Sequence, residues 1–425
     1  MTVRIICLNC LAEFKFDRSR RSWVWVLRQQ NGAFATRVAD YSNKVDRRCP
    51  NGCEIDEEML DYPTRVIGFV GESASSKTHL IASMLYSIMN DPVLAREWSI
   101  IPSRKSTKML AALENQLSNR QAIGYTQKRG YAGNQMQTMD SAIGAPGLNR
   151  PQGQRIPAPP VRQLPGVQTQ RAPGVPGQAH AWSGWQPRTP IVVKVTSLST
   201  RRTVNLAFVD VAGEDVADAE IAAKVSPHLA VADFIWFVVP STLNKQYLAI
   251  MQQHANAANE DSLHNAVEHS QTVGRTNMMI DQIAKLWREA NAYPLHLPIE
   301  PPRLHVSTIV AKSDLLSLIN LPETGIVAPP ADWADTPFSS NGGGNLYQRA
   351  QIDYRSDATR SLVRKLFPAV DSTLSIHFPW NRYFPVSAVG CGKRSDNSYP
   401  VFKPYAAVDP MIFMLDLFDE LWADR

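Results

Sequence analysis

Apolar and polar positions follow two rhythms along this chain. Near the N-terminus the run Trp23, Val24, Trp25, Val26, Leu27 alternates aromatic with aliphatic residues and predicts a strand. Beyond residue 60 come short, continuous apolar runs bounded by turn residues. These predict buried strands at 64–70, 232–239, 305–310 and 382–386. The runs 190–196 and 203–209 are joined by a basic turn at 199–202 and read as adjacent strands. Between strands the period becomes helical. Leu80, Ile81, Met84, Leu85 and Ile88 share one face, and residues 244–290 are mainly helical in pattern. The Met, Trp and Phe positions in 411–422 recur on one helical face, behind Asp409 as cap and Pro410 in the first turn, and predict a closing helix packed on the sheet. Strands alternating with helices predict an α/β fold: a doubly wound, mostly parallel sheet with one antiparallel strand.

Composition adds a boundary. At 425 residues and 44% hydrophobic, the chain can bury a large core. No apolar stretch approaches the roughly 18 residues that cross a bilayer. Cys7 and Cys10 stand where a signal peptide would keep an apolar run, so a cytoplasmic protein without a transmembrane segment is expected. The net charge of +5 suggests nucleic acid until its distribution is read. Arg120, Lys128, Arg129, Arg150, Arg155, Arg162, Arg171 and Arg188 face one acidic residue, Asp140, within 119–190. That stretch alone is +7, which leaves −2 for the rest and weakens the case for a nucleic-acid surface, since the basicity belongs mostly to one segment. Residues 130–188 are rich in Pro, Gly and Gln without apolar periodicity and are expected to form a disordered insertion. A proline-rich ligand for another domain is a second reading of it.

The cysteines form two short-spaced pairs, Cys7-Leu-Asn-Cys10 and Cys49-Pro-Asn-Gly-Cys53. Each pair can fold as a knuckle around one edge of a tetrahedral zinc site with thiolate ligands. Disulfides or unrelated free thiols are the alternatives. Residues 1–60 are then a zinc-ribbon module ahead of a domain at 61–425. Cys391 stands apart.

The richest chemistry follows the 64–70 run. Gly71, Glu72, Ser73, Ala74, Ser75, Ser76, Lys77 and Thr78 lead into the first helix, whose next residue is His79. Strand, loop and helix in this order make a phosphate cradle. Backbone N–H groups surround the phosphates, the helix N-terminus adds a positive dipole end, Lys77 bridges the outer phosphates and Thr78 reaches magnesium. Ser76 departs from the usual pattern, which has glycine there. The 203–209 run passes into Asp210-Val-Ala-Gly213-Glu214, a DxxG form in which Asp210 would hold magnesium through water and Gly213 would contact the γ-phosphate.

The ordered set GESASSKT, DVAG, AKSD and SA resembles the translation-factor-like (TRAFAC) class of P-loop GTPases over residues 62–425. The cysteine pairs, the DVAGED run and the closing VDPMIFMLDLFDEL helix look like the bacterial double-GTPase proteins of conflict or signalling operons. The resemblance implies that Asp314 pairs with guanine, Lys312 lies over its ring, and Ser387-Ala388 offers an N–H to the guanine oxygen. Ala311 replaces the amide or hydroxyl that family members carry at the first position of that motif. Glu214 stands where small GTPases position water with Gln, and Thr189 has the separation from Asp210 expected of a switch threonine. The implied function is a magnesium-dependent, slowly hydrolysing GTP switch, with GTP or GDP, Mg2+ and Zn2+ as cofactors and a second GTPase or an effector as protein partner. A non-hydrolysing scaffold that binds partners through the ribbon and insertion, and an ATPase, remain the alternatives.

Overall fold

The computed structural model describes residues 2–28, 34–37, 48–55, 57–72, 75–120, 190–212, 216, 227–255, 263, 273–291, 304–330, 349–391, 398–399 and 401–421. Residues 1–129 with 187–425 form one compact unit. The insertion expected at 130–188 lies outside the described residues.

The N-terminal strands β1 (Thr2–Ile6), β2 (Glu13–Asp17), β3 (Ser22–Arg28) and β4 (Phe34–Arg37) form an antiparallel meander in that order. The main sheet has seven strands: β5 (Thr64–Gly71), β6 (Trp98–Pro102), β7 (Ile191–Ser197), β8 (Thr203–Ala212), β9 (Phe234–Pro240), β10 (His305–Ala311) and β11 (Arg382–Val386). Their order is β11-β10-β9-β5-β8-β7-β6. Strands β8, β5, β9, β10 and β11 are parallel neighbours, whereas β7 is antiparallel to both β8 and β6. A single strand, β7, thus runs against the others.

Helices cover both faces, which is why the strands read as continuous apolar runs rather than alternating ones. One face of β5, β8 and β9, including Val66, Val209 and Phe237, packs with Met279, Ile280 and Ile283 of a helix at Val273–Ala290. The other, including Phe69, Phe208 and Trp236, packs with helix α1 (Lys77–Asn90) and helix α2 (Arg104–Ser118). Trp236 is fully buried, with its ring 4.8 Å from that of Phe69. Truncating such a residue costs about 3–5 kcal/mol. The C-terminal helix, Asp409–Leu421, packs on the sheet with Phe384 and Val386 of β11, as expected, but more of its surface is buried than one face. Met411, Ile412, Phe413, Met414 and Leu415 are all buried, so its first turns are enclosed all round rather than amphipathic. Asp409, expected as a cap, is a fully buried partner of Arg355, with 2.8 Å between Nε and Oδ2.

The meander packs against the N-terminal ends of the central strands. Arg4 donates to Asp233, the residue before β9, at 2.7 Å, and Arg65 does so at 3.3 Å. The second Asp233 oxygen accepts from the Val66 N–H at 2.9 Å. Burial pushes the Asp233 carboxyl up, but the two arginines and that N–H more than offset it and hold it below the usual range.

Candidate functional site

Parallel strands end on the same edge of a sheet. After β5 the chain builds β6, β7 and β8 on one side, then crosses to β9, β10 and β11 on the other. The order therefore reverses around β5, and the carboxyl ends at such a reversal are where ligands bind in open α/β sheets. Among the described residues, those singled out in the sequence lie at the carboxyl ends of four strands: Lys77 and Thr78 follow β5, Asp210 is in the last residues of β8, Lys312 and Asp314 follow β10, and Ser387 and Ala388 follow β11.

The turn after β5 is shaped by close backbone approach. A Cβ on Gly71 would lie 2.4 Å from the Val238 carbonyl oxygen, so only glycine fits beside β9. Ser76 sits at φ +68°, in the left-handed region that favours glycine, and directly precedes α1. A non-glycine residue there costs on the order of 1–2 kcal/mol. The Lys77 ammonium is buried and folds back over the turn. It donates to the carbonyls of Gly71 (2.6 Å) and Glu72 (2.9 Å) and lies 3.5 Å from Ser75 Oγ. The Glu72 side chain points elsewhere, since its carboxylate accepts from Thr276 Oγ1 at 3.2 Å among buried residues. Ser73 and Ala74 lie outside the described residues.

Thr78, in the first turn of α1, donates its hydroxyl to Asp210 Oδ2 at 2.7 Å. A hydroxyl and a carboxylate side by side are hard oxygen donors, the set that suits a magnesium-sized cation. Gly213, Glu214 and Thr189 lie outside the described residues.

The third cluster joins the ends of β10 and β11. Ala311 is the buried last residue of β10. Lys312 turns the chain at φ +59°, and its carbonyl accepts from Ser241 Oγ at 2.9 Å. Asp314 follows in a 3-10 turn, where its Oδ1 accepts from Ser387 Oγ at 2.5 Å. Burial pushes the Asp314 carboxyl above the ordinary carboxylate range, against the Ser387 hydrogen bond, which acts to lower it. Ser387 Oγ in turn accepts from the Gly390 N–H at 2.9 Å. Ser83 of α1 stands 2.5 Å from the Ala388 carbonyl and 2.6 Å from that of His79, so its one proton serves either. His79 Nε2 is 3.2 Å from the Tyr399 hydroxyl. The sequence reading missed Ser83, Ser241, Thr276 and Tyr399, because a lone hydroxyl carries no motif.

The four N-terminal cysteines form a separate cluster at the other end of the sheet. Cys7, Cys10, Cys49 and Cys53 place their sulfurs within 4.8 Å of one another, and none forms a disulfide. Cys10 Sγ and Cys49 Sγ are 3.8 Å apart. Zinc–sulfur bonds of 2.3 Å in a tetrahedron require an edge of about 3.8 Å, so the donor set fits zinc. Two tight turns make the knuckles. The Leu11 N–H bonds to the Cys7 carbonyl at 2.7 Å with Leu11 at φ +58°, and the Gly52 N–H bonds to the Cys49 carbonyl at 2.8 Å with Gly52 at φ +84°. Asn51 Nδ2 donates to Cys10 Sγ at 3.4 Å. The neighbouring S–H groups of Cys49 and Cys7 favour a thiolate at Cys10 and hold it far below the ordinary thiol range. Among the described residues no other group of three or more His, Cys, Asp or Glu is placed to share a metal ion, and no helix is long and apolar enough to cross a membrane.

No protein-family model matches the chain, and no curated protein matches it significantly.

Proposed function

We propose that the protein is a magnesium-dependent GTP-binding switch of the P-loop type, hydrolysing slowly, with a zinc-ribbon module in front. The observation that carries this reading is the 2.7 Å contact between Thr78 and Asp210 on the edge that also holds the Gly71–Thr78 turn and the Asp314–Ser387 pair. The N-terminus of α1 presents the first N–H groups of the helix and a positive dipole end beside the turn, which suits phosphate. Lys77 is within reach of that place, and moving its ammonium from backbone carbonyls to phosphate oxygens would exchange neutral acceptors for charged ones. A bound magnesium ion would supply positive charge that offsets the phosphates there. Asp314 would accept from two guanine N–H groups, with Ser387 fixing its orientation. The zinc site would brace the meander, whose size gives it little core of its own.

Bacterial signalling or conflict is the setting that the resemblance supports. Calorimetry with GTP and ATP, each with magnesium and with chelator, tests the assignment alongside a turnover assay. Tight, magnesium-dependent GTP binding with slow phosphate release is expected. Equal affinity for ATP would overturn the guanine reading. Tight binding without turnover would move the protein to a non-hydrolysing scaffold, and absence of any nucleotide binding would end the proposal.

A further inference from the structure

At one end of the main sheet, β6 pairs with β7 on one side, and among the described residues no strand pairs with its other side. Two hydrogen bonds fix which of its groups face outward. Ser103 N–H donates to the Val192 carbonyl and Leu198 N–H to the Glu97 carbonyl, each at 2.9 Å. Residues alternate in an antiparallel ladder, so the odd-numbered residues here spend their backbone groups on β7. Trp98 and Ile100 turn both N–H and C=O outward, and Pro102 turns a carbonyl. Such a row is a template for another strand. The side chains leave it approachable. Ile101 is 50% exposed and Leu198 46%, whereas the central strands are covered on both faces.

The surroundings select the guest by charge. Arg96, Arg104, Lys105, Lys108, Arg201 and Arg202 are all exposed at the ends and flank of β6, with Glu97 the acidic residue among them. Helix α2 starts at Arg104 with no acidic residue in its first turn, so its positive end adds to the same field. A second copy of this chain would bring the same charges and be repelled. The chain's own 130–188 segment is strongly basic and would be repelled as well.

We propose that β6 is a docking edge for an extended, carboxylate-rich segment of another protein, which adds to the main sheet as an eighth strand. Main-chain bonds to Trp98, Ile100 and Pro102 hold the segment, and carboxylates along it meet the arginines and lysines. This inference does not depend on the nucleotide reading.

Proline scanning of the full chain tests it, with labelled decapeptides of alternating valine with glutamate and of alternating valine with lysine as probes in fluorescence anisotropy. The valine–glutamate peptide should bind at least about tenfold more tightly than the valine–lysine peptide, and binding should weaken with salt. Ile100→Pro removes an outward N–H and no bond to β7, which edge positions tolerate. It should cut affinity by about tenfold or more with an unchanged circular dichroism spectrum. The double charge reversal Arg104→Glu with Lys108→Glu alters exposed helical positions alone and should weaken binding by a similar factor, which keeps the test open should the proline variant misfold. Wild-type affinity in both variants, equal binding of the two peptides, or no binding of the valine–glutamate peptide at millimolar concentration would overturn the proposal. Dimerisation in sedimentation that Ile100→Pro abolishes would also overturn it, by assigning the edge to a second copy.

Discussion

Thr78 and Asp210 lie 132 residues apart in sequence, and the Thr78 hydroxyl donates to the Asp210 carboxylate across 2.7 Å. They come from α1 and β8, which meet because β5 and β8 are parallel neighbours ending at one edge. Under the proposed function these are the oxygens that exchange their mutual hydrogen bond for a shared cation. Thr78→Ala and Asp210→Ala should each weaken GTP binding in magnesium by about 1.5–3 kcal/mol, the range for a hydrogen bond to a charged group. Both should leave the weak binding in chelator unchanged. Calorimetry with and without magnesium reads the difference, and an equal loss in both conditions would remove the pair from the metal site. Lys77→Ala should weaken binding in both, because it takes away charge facing the phosphates.

Ser76 holds φ +68° directly before α1. Ser76→Gly relieves about 1–2 kcal/mol of left-handed strain and adds about 0.4–1 kcal/mol of unfolded-chain entropy. A net gain of several tenths of a kcal/mol in urea unfolding is expected, with nucleotide affinity retained. A destabilised glycine variant would contradict the left-handed turn.

Asp314 has a carboxyl pushed up by burial, and the sign of its pH dependence follows. The folded value lies above the ordinary 3.8, so its contribution to stability is full below that value and is lost as pH rises through the folded one. Asp314→Asn should therefore stabilise the nucleotide-free protein at pH 7, since an asparagine oxygen still accepts from Ser387. The guanine pairing proposed for Asp314 runs the other way, because it needs the ionised form. GTP affinity should fall on acidification sooner than an ordinary carboxylate would dictate. In the asparagine variant that acid limb should vanish and preference shift toward xanthine nucleotides. Titrations of affinity against pH in both proteins check this.

The thiolate cluster predicts about one zinc per chain in protein purified without added metal. Cys49→Ser should release it and lower the thermal stability of the meander. The eight-residue strand β5 spans about 25 Å at 3.3 Å per residue, which separates this cluster from the carboxyl-end edge. Nucleotide affinity should therefore stay near wild type. Elemental analysis with parallel calorimetry tests both halves, and a folded, zinc-free wild type would refute the metal.

Glu214 follows Gly213 where a water-positioning residue is expected. Glu214→Ala should leave GTP affinity nearly unchanged and reduce turnover by about a hundredfold, the scale of general-base contributions. A rate that stays flat would exclude Glu214 from water activation, and a faster Glu214→Gln would mark its charge as repulsive.

Much of this was open to inspection in the sequence alone. Strand β11 spans the 382–386 run, and β5, β7, β8, β9 and β10 coincide with the other apolar runs to within a few residues. Strands buried on both faces need unbroken apolar residues, and that need is local. The pairing of the cysteines into two knuckles was equally legible, because each knuckle closes within five residues. Strand β6 was not, since an edge strand with half-buried residues need not be apolar throughout. The enclosure of Met411–Leu415 on all sides, and the burial of Asp409 on Arg355 rather than at a free cap, were also hidden. Residues 64 to 386 determined which chemistry stands after each strand. Tertiary structure alone decided that these strands are neighbours, that the carboxyl ends of β5, β8, β10 and β11 share one edge, that Ser76 bends left-handed, and that a half-buried Asp314 accepts from Ser387. Hydrophobic periodicity reports how a segment meets its own surroundings, whereas the order of strands is set by long-range packing that no local pattern encodes.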